Sequence, residues 1–151
     1  MHTSTAGIEL IKKSEGFSAS VYSDVAGFKT VAYGHKLQSG ESFPSDVTVT
    51  QATSLLMADV AVAESVVQRL VKVPLSQGQF DALVDFVFNL GGGRLASSTL
   101  LRDLNAGQYD AAGQQLLLWD HSGGVVVAGL KTRREAEFQL WKGGNTQAQA
   151  A

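Results

Sequence analysis

Three side chains near the start of the chain have types and spacing that could serve a single reaction. Glu15 is followed by Asp24 nine positions on and by Thr30 six further. A glutamic acid can protonate a leaving oxygen. A second carboxylate with a hydroxyl, on the far side of the substrate, can hold a water or meet a developing positive charge. Hydrolysis of a glycosidic bond needs that division of labour, with the two carboxyl groups on different elements facing each other across a groove. A general acid must also keep its proton near neutral pH, which partial burial favours and a nearby arginine opposes. With 14 acidic residues in the chain, a carboxylate pair by itself decides nothing, since most are solvated surface.

The elements that would position these groups follow from the pattern around them. A short helix is expected from Ser4 to Ser14, capped by Ser4 or Thr5, with Ile8, Leu10 and Ile11 on its apolar side. Glu15-Gly16 ends it. From Phe17 to Gly40 the residues are β-branched or aromatic and punctuated by Gly27, Gly34 and Gly40, which reads as an antiparallel hairpin region. Glu41 to Val49, with Pro44, is a connection. After Thr50 the chain is helical: Leu56, Val60, Ala63, Val67 and Leu70 share one face until Val73-Pro74. Ser76 with Gln79 forms a possible capping box ahead of the stripe Phe80, Leu83, Val84 and Val87, and Gly91 to Gly93 ends that helix. Shorter helices are expected near Ser98 to Asn105 and Asp110 to Trp119, a loop at Gly123-Gly124, and a last helix from Leu130 to Lys142 closed by Gly143-Gly144. The expected fold is α+β and mainly helical, with two lobes in a single domain, 1–151: an N-terminal helix (1–14), a small antiparallel β lobe (15–49), a helical lobe (50–144) and a frayed tail (145–151). A groove is expected between the lobes.

Composition bounds the alternatives. The chain is 44% hydrophobic and 17% charged, enough apolar matter for one core. A net charge of -2 argues against bulk binding to nucleic acid or an anionic membrane. The lack of cysteine excludes disulfides and thiolate metal sites. No metal or cofactor is expected, because His2, His35 and His121 show no ligand spacing. No apolar run is long enough to cross a membrane, and the first residues do not resemble a secretory signal. A monomer is expected.

The context of the carboxylates is specific. The stretch E-G-F-S-A-S-V-Y-S-D-V-A-G-F-K-T-V-A-Y-G-H resembles the catalytic segment of the phage-type lysozymes, the phage endolysin muramidases (glycoside hydrolase family 24). Glu15, Asp24, Thr30, Gly34 and His35 match its pattern residue by residue. Q-x-Q-F-D-A-L-V-D-F-V-F-N-L-G from Gln77 to Gly91 is similar to the family's central helix. S-T-L-L-R-D-L-N-A-G-Q-Y-D-A-A from Ser98, then Trp119, then G-L-K-T-R-R-E-A-E from Gly129 to Glu137 are further landmarks. The likeness covers nearly everything from Ile8 to Trp141. Ala32 departs from it, standing where the family more often has glycine; its methyl is expected to narrow the strand slightly and to remove no reactive group.

The resemblance implies an endolysin that hydrolyses the β-1,4 bond between N-acetylmuramic acid and N-acetylglucosamine in peptidoglycan glycan strands, with inversion. Glu15 would be the acid, Asp24 the ionised partner, and Thr30 the group that holds the water. It implies accumulation in the host cytoplasm, release through a holin-type lesion, and action on the periplasmic wall. It points to Asp59 as the carboxylate that pairs with His35, so that His35 ties the β lobe to the long helix and stays out of the chemistry. It places Phe88 in the saccharide cleft, where Tyr33, Leu37 and Thr99 are further candidates. Arg133 and Arg134 are either a solvated basic face or a contact for Glu15, and the sequence does not choose between the two arginines. Three other readings compete. A cell-wall-binding module would not need Glu15, Asp24 and Thr30. A lytic transglycosylase would leave an anhydro-muramic end in place of a reducing sugar. A helical interaction protein would not carry the ordered motifs.

Overall fold

The structure, a computed structural model, describes residues 1–150, with side chains described through Gly143. Ser4 caps the first helix, α1 (Thr5–Glu15), by accepting from the Gly7 N–H. The helix stops because Gly16 turns to φ 71°, where a side chain would be strained. Glu15 is therefore the last helical residue.

A three-stranded antiparallel sheet follows, in the order β1 (Ser18–Ser23), β2 (Lys29–Ala32), β3 (His35–Lys36). Tyr22 pairs with Thr30 and Ser23 with Lys29, and the register is irregular between Ser18 and Tyr22. Ala32 corrects an expectation: its methyl does not narrow a strand. It is fully buried at φ 60°, in the left-handed region that glycine tolerates and alanine does not favour.

The long helix α2 (Val49–Leu70) starts at a Thr48–Gln51 capping box. Its 22 residues span roughly 33 Å, enough to serve both lobes. Ala52, near its start, packs with Val31, Ala32 and Val47 in a small core that also takes in Val21, Leu37, Phe43 and Leu55. Leu56, Val60, Ala63 and Val67 belong to the larger core with α3 (Gln77–Leu90) and Ile11 of α1. Tyr33 packs against both cores.

Helix α3 is the axis of the helical lobe. Every residue from Gly78 to Val87 is buried, Asp81 and Asp85 included, and its Ser76–Gln79 capping box is formed. Around it lie α4 (Gly92–Ala96), α5 (Thr99–Asn105), α6 (Tyr109–Leu116) and α7 (Ala128–Ala150). Gly91 ends α3 as expected, but Gly92 and Gly93 open α4 where a simple terminator was expected. Helix α6 stops at Leu116, before Trp119, whose ring meets Phe86 edge-on at 5.4 Å. A small hairpin, β4 (His121–Ser122) and β5 (Val125–Val126), replaces the expected loop. Gly123 and Gly124 both have positive φ, as a two-residue hairpin turn requires. The expected tail, 145–151, lies outside the residues whose side chains are described.

Candidate active site

Glu15 sits at the C-terminal end of α1, where the helix dipole is unfavourable to a carboxylate. The cation that answers it is Arg133: Nη1 donates to Oε2 at 2.7 Å. The other oxygen faces the sheet. Gly34, at φ 68°, lies so close that a Cβ there would be 2.8 Å from the Glu15 Cδ and nearer still to Oε1. The carboxyl is thus held between the turn after β2 and the first half of α7.

Asp24 closes the β1–β2 turn. Its Oδ1 accepts from the N–H groups of Ala26 and Phe28 at 2.9 and 2.8 Å, and Lys36 Nζ lies 3.9 Å from Oδ2. Buried Thr30 donates its hydroxyl proton to the Phe28 carbonyl at 3.0 Å. Tyr22, directly across the strand pair from Thr30, links these groups to Glu15. Burial raises its phenol pKa, and the charges of both Glu15 and Asp24 raise it further, so its hydroxyl lies within the field of both carboxylates.

Two grooves lie beside Glu15, each lined by one of its neighbours. Gly34 lines a groove of about 640 Å³ with Lys36, Asp59, Phe88 and Asn89. Arg133 lines one of about 780 Å³ with Val25, Val127 and Leu130. Phe88 is half-buried on the core edge as well. Tyr33 packs against Phe17, with ring centroids 5.5 Å apart and Lys12 Nζ 5.6 Å from its own. Three expected cleft residues do not line these grooves: Tyr33, packed as just described, Leu37 and Thr99. Leu37 packs on the small core and lines a depression with Phe28 and Phe43. Thr99 lines a separate depression of about 300 Å³ with Ser98 and Arg102. Each follows the burial of its own element, which spacing alone does not reveal.

His35 is buried between two carboxylates: Nδ1 is 2.8 Å from Asp59 and Nε2 is 2.9 Å from Glu41. Burial opposes the charged ring, but the hydrogen bonds to Asp59 and Glu41 outweigh it, and the pKa is raised. The Glu41 carboxyl is drawn down by the Gln38 N–H, then by His35. The ring pairs with Asp59 of α2, and so links β3 to that helix.

The two arginines take different places. Arg133 reaches Glu15 and also forks onto Asp85 of α3, with Nε and Nη2 at 2.9 and 2.8 Å from its two oxygens. Arg134 is wholly buried. It donates to Asn89 at 2.7 Å and Glu137 at 3.0 Å, and lies over the Phe86 ring at 5.3 Å. Neither forms a solvated basic face. Among the described residues, no three His, Cys, Asp or Glu side chains converge as a metal site.

The model of the phage lysozyme family matches residues 12–137. The chain belongs to the phage lysozyme family. That makes it an enzyme of the lysozyme type, with the mainly helical lysozyme fold. Among its relatives, the endolysin of Bacillus phage B103 is 43% identical over 97% of this chain, and the chain spans 56% of that protein. The endolysin of Salmonella phage P22 is 40% identical, covering 82% of this chain and 86% of its own length. Among solved structures, the endolysin from Escherichia coli O157:H7 phage FAHEc1 superposes with a TM-score of 0.84 at 33% identity, covering 93% of each chain. The muramidase domain of SpmX from Asticaccaulis excentricus gives 0.83 at 36% identity, covering 93% of this chain and 98% of its own.

Four residues of this lysozyme-family site escape a reading of the sequence: Tyr22, Glu41, Asp85 and Glu137. Asp85 leaves a signal. A buried acid in the apolar run of α3 must find donors: Asp81 takes them from Ser4 and Gln77, and Asp85 takes them from Arg133.

Proposed function

We propose that this chain cuts the β-1,4 bond between N-acetylmuramic acid and N-acetylglucosamine in peptidoglycan glycan strands, by single displacement with inversion, for lysis of a bacterial host. The observation that carries the reading is Glu15 held between Gly34 and Arg133, each of which lines a groove, so that a sugar chain has room on both sides of the acid. Cleavage within a strand needs that arrangement.

Glu15 protonates the departing glycosidic oxygen. Water attacks from the opposite face, held by Asp24 and Thr30, and as its oxygen bonds the anomeric carbon its proton passes to Asp24. The hydrogen bonds suit that task. The Thr30 proton is committed to the Phe28 carbonyl, so its oxygen is left to accept, and Oδ2 of Asp24 is free of the turn's backbone bonds. A water that donates one proton to each keeps a lone pair for the anomeric carbon. Arg133 holds Glu15 in place while sharing its charge with Asp85. Phe88 offers an apolar surface for a sugar ring. No described helix is long and apolar enough to cross a membrane. We place the protein in the host cytoplasm until a lesion in the membrane lets it reach the periplasmic wall.

The test is clearing of outer-membrane-permeabilised Gram-negative cells by wild type and Glu15→Gln, which keeps the shape but has no proton to give. Loss of about a thousandfold in rate is expected. Clearing at the wild-type rate would overturn the assignment. Fresh reducing ends with inverted anomeric configuration are expected among the products.

A further inference from the structure

Asp85 stands on the other side of Arg133 from Glu15. It is fully buried in α3 and takes two hydrogen bonds from one edge of the guanidinium, leaving Nη1 for Glu15. A guanidinium is a rigid plane with its donors in a fixed fork. Fixing one edge therefore fixes the direction in which Nη1 points. Without that fork, the long arginine stem could swing Nη1 away from Oε2.

We propose that Asp85 is the positioning residue of the general acid: through Arg133 it sets where the Glu15 carboxyl lies and how much positive charge that carboxyl meets. This rests on the reading of Glu15 as the acid.

The charges around the pair support it. From α7, two guanidinium groups and the Glu137 carboxyl face Asp85; from α1 comes Glu15; from β1 the Tyr22 phenol faces Glu15. Glu137 is wholly buried. Burial, then Asp85 beside it, push its carboxyl well above the usual range, which favours its protonated form. Burial opposes the Arg133 charge, but Asp85 and then Glu15 more than compensate and raise its pKa. Burial draws the Arg134 pKa down, yet a guanidinium stays charged in a protein. Arg133 thus lies between Asp85 on one edge and Glu15 on the other. Remove the Asp85 charge and Arg133 faces Glu15 with no other carboxylate on its fork, which favours the ionised form of a group that must donate a proton. The substitution Asp85→Asn keeps the shape and removes the charge. Glu137 could then ionise in its stead, so its carboxyl must be removed as well.

The experiment measures pH–activity profiles on purified, labelled peptidoglycan for wild type, D85N, E137Q and D85N/E137Q, with E15Q as reference and melting recorded for each. In D85N/E137Q the falling alkaline limb is expected to move to lower pH by about one unit, the effect of one charge a guanidinium away at an effective dielectric near 20. On the alkaline side of the limb kcat falls by up to about tenfold, the most that a one-unit shift can cost, while KM stays near wild type. D85N alone shifts the same way by less and carries the test if the double variant does not fold. E137Q leaves the limb in place. A limb at the wild-type pH in both Asp85 variants, with E15Q inactive, overturns the proposal even if melting drops, because a purely structural Asp85 behaves so. A limb that moves as far in E137Q as in D85N also overturns it, because the effect would then not belong to Asp85. Activity that survives in E15Q overturns the acid assignment first, and this proposal with it.

Discussion

Adding one methyl group at Gly34 strikes the carboxyl of Glu15 without touching its chemistry. Gly34 has φ 68°, and the new Cβ of Gly34→Ala would come within 2.8 Å of Glu15 Cδ and closer to Oε1. Two costs add. An L-residue in the left-handed region costs about 1–2 kcal/mol. Overpacking against a neighbour costs about 1–3 kcal/mol, as the Glu15 side chain is also tied to Arg133 and has little room to yield. A loss of about 2–5 kcal/mol in a chain of this length lowers Tm by roughly 5–20 °C. Activity suffers separately, since a shift of about 1 Å in a catalytic group costs about a hundredfold. Gly40→Ala is the control. Its φ is 86° but nothing lies within 4 Å of the added Cβ, so it carries the backbone strain without the crowding. Thermal melting by circular dichroism and cell clearing, the latter read well below either Tm, separate the effects. G34A should melt below G40A and lose about a hundredfold in turnover, with G40A near wild-type activity. If G34A clears cells as fast as G40A, the close approach of Gly34 does not hold the carboxyl and the reasoning fails.

His35→Asn should weaken the protein in a pH-dependent way and leave turnover largely intact. The raised His35 pKa means its stabilisation is fully present below the unfolded value of 6.5 and lost as pH rises through the folded one; the lowered Glu41 pKa means its share is present above 4.5 and lost as pH falls through its folded value. The deficit of the variant, about 2 kcal/mol for the lost charge-assisted bonds, should therefore be largest between those two values and shrink in alkali; equal melting deficits at about pH 5.5 and about pH 10, or a large loss of turnover at unchanged Tm, would count against this role. Ala32→Gly relieves about 1–2 kcal/mol of left-handed strain, but removes a buried methyl worth about 0.8 kcal/mol and loosens the unfolded chain by about 0.4–1 kcal/mol. Denaturant unfolding should find it within about 1 kcal/mol of wild type, and a larger change in either direction would show that one of these three contributions is misjudged.

Much of this site is legible in the order of its residues. The capping residue Ser4 and the breaker Gly16 place Glu15 at a helix end, because both act within one turn of chain. Asp24 and Thr30 fall in one hairpin for the same local reason, and the ordered motifs around them carry the family. Tertiary structure decided the rest. Arg133 and Arg134 are neighbours in sequence, yet successive residues on a helix point about 100° apart, so only the packing of α7 on α3 turns Arg133 toward Glu15 and Asp85 and Arg134 toward Asn89. Asp85 and Glu15 are 70 residues apart and meet only through that guanidinium. Glu41 reached His35, and Leu37 and Thr99 turned from the grooves, by the way each segment buried its own apolar side chains. The backbone of Ala32 lies in a region its residue type disfavours, at the tight turn between β2 and β3. Local chemistry sets where each element begins and ends; which side chains then face one another is a property of close packing, and a pairwise contact across the fold has no signature in the spacing of either partner.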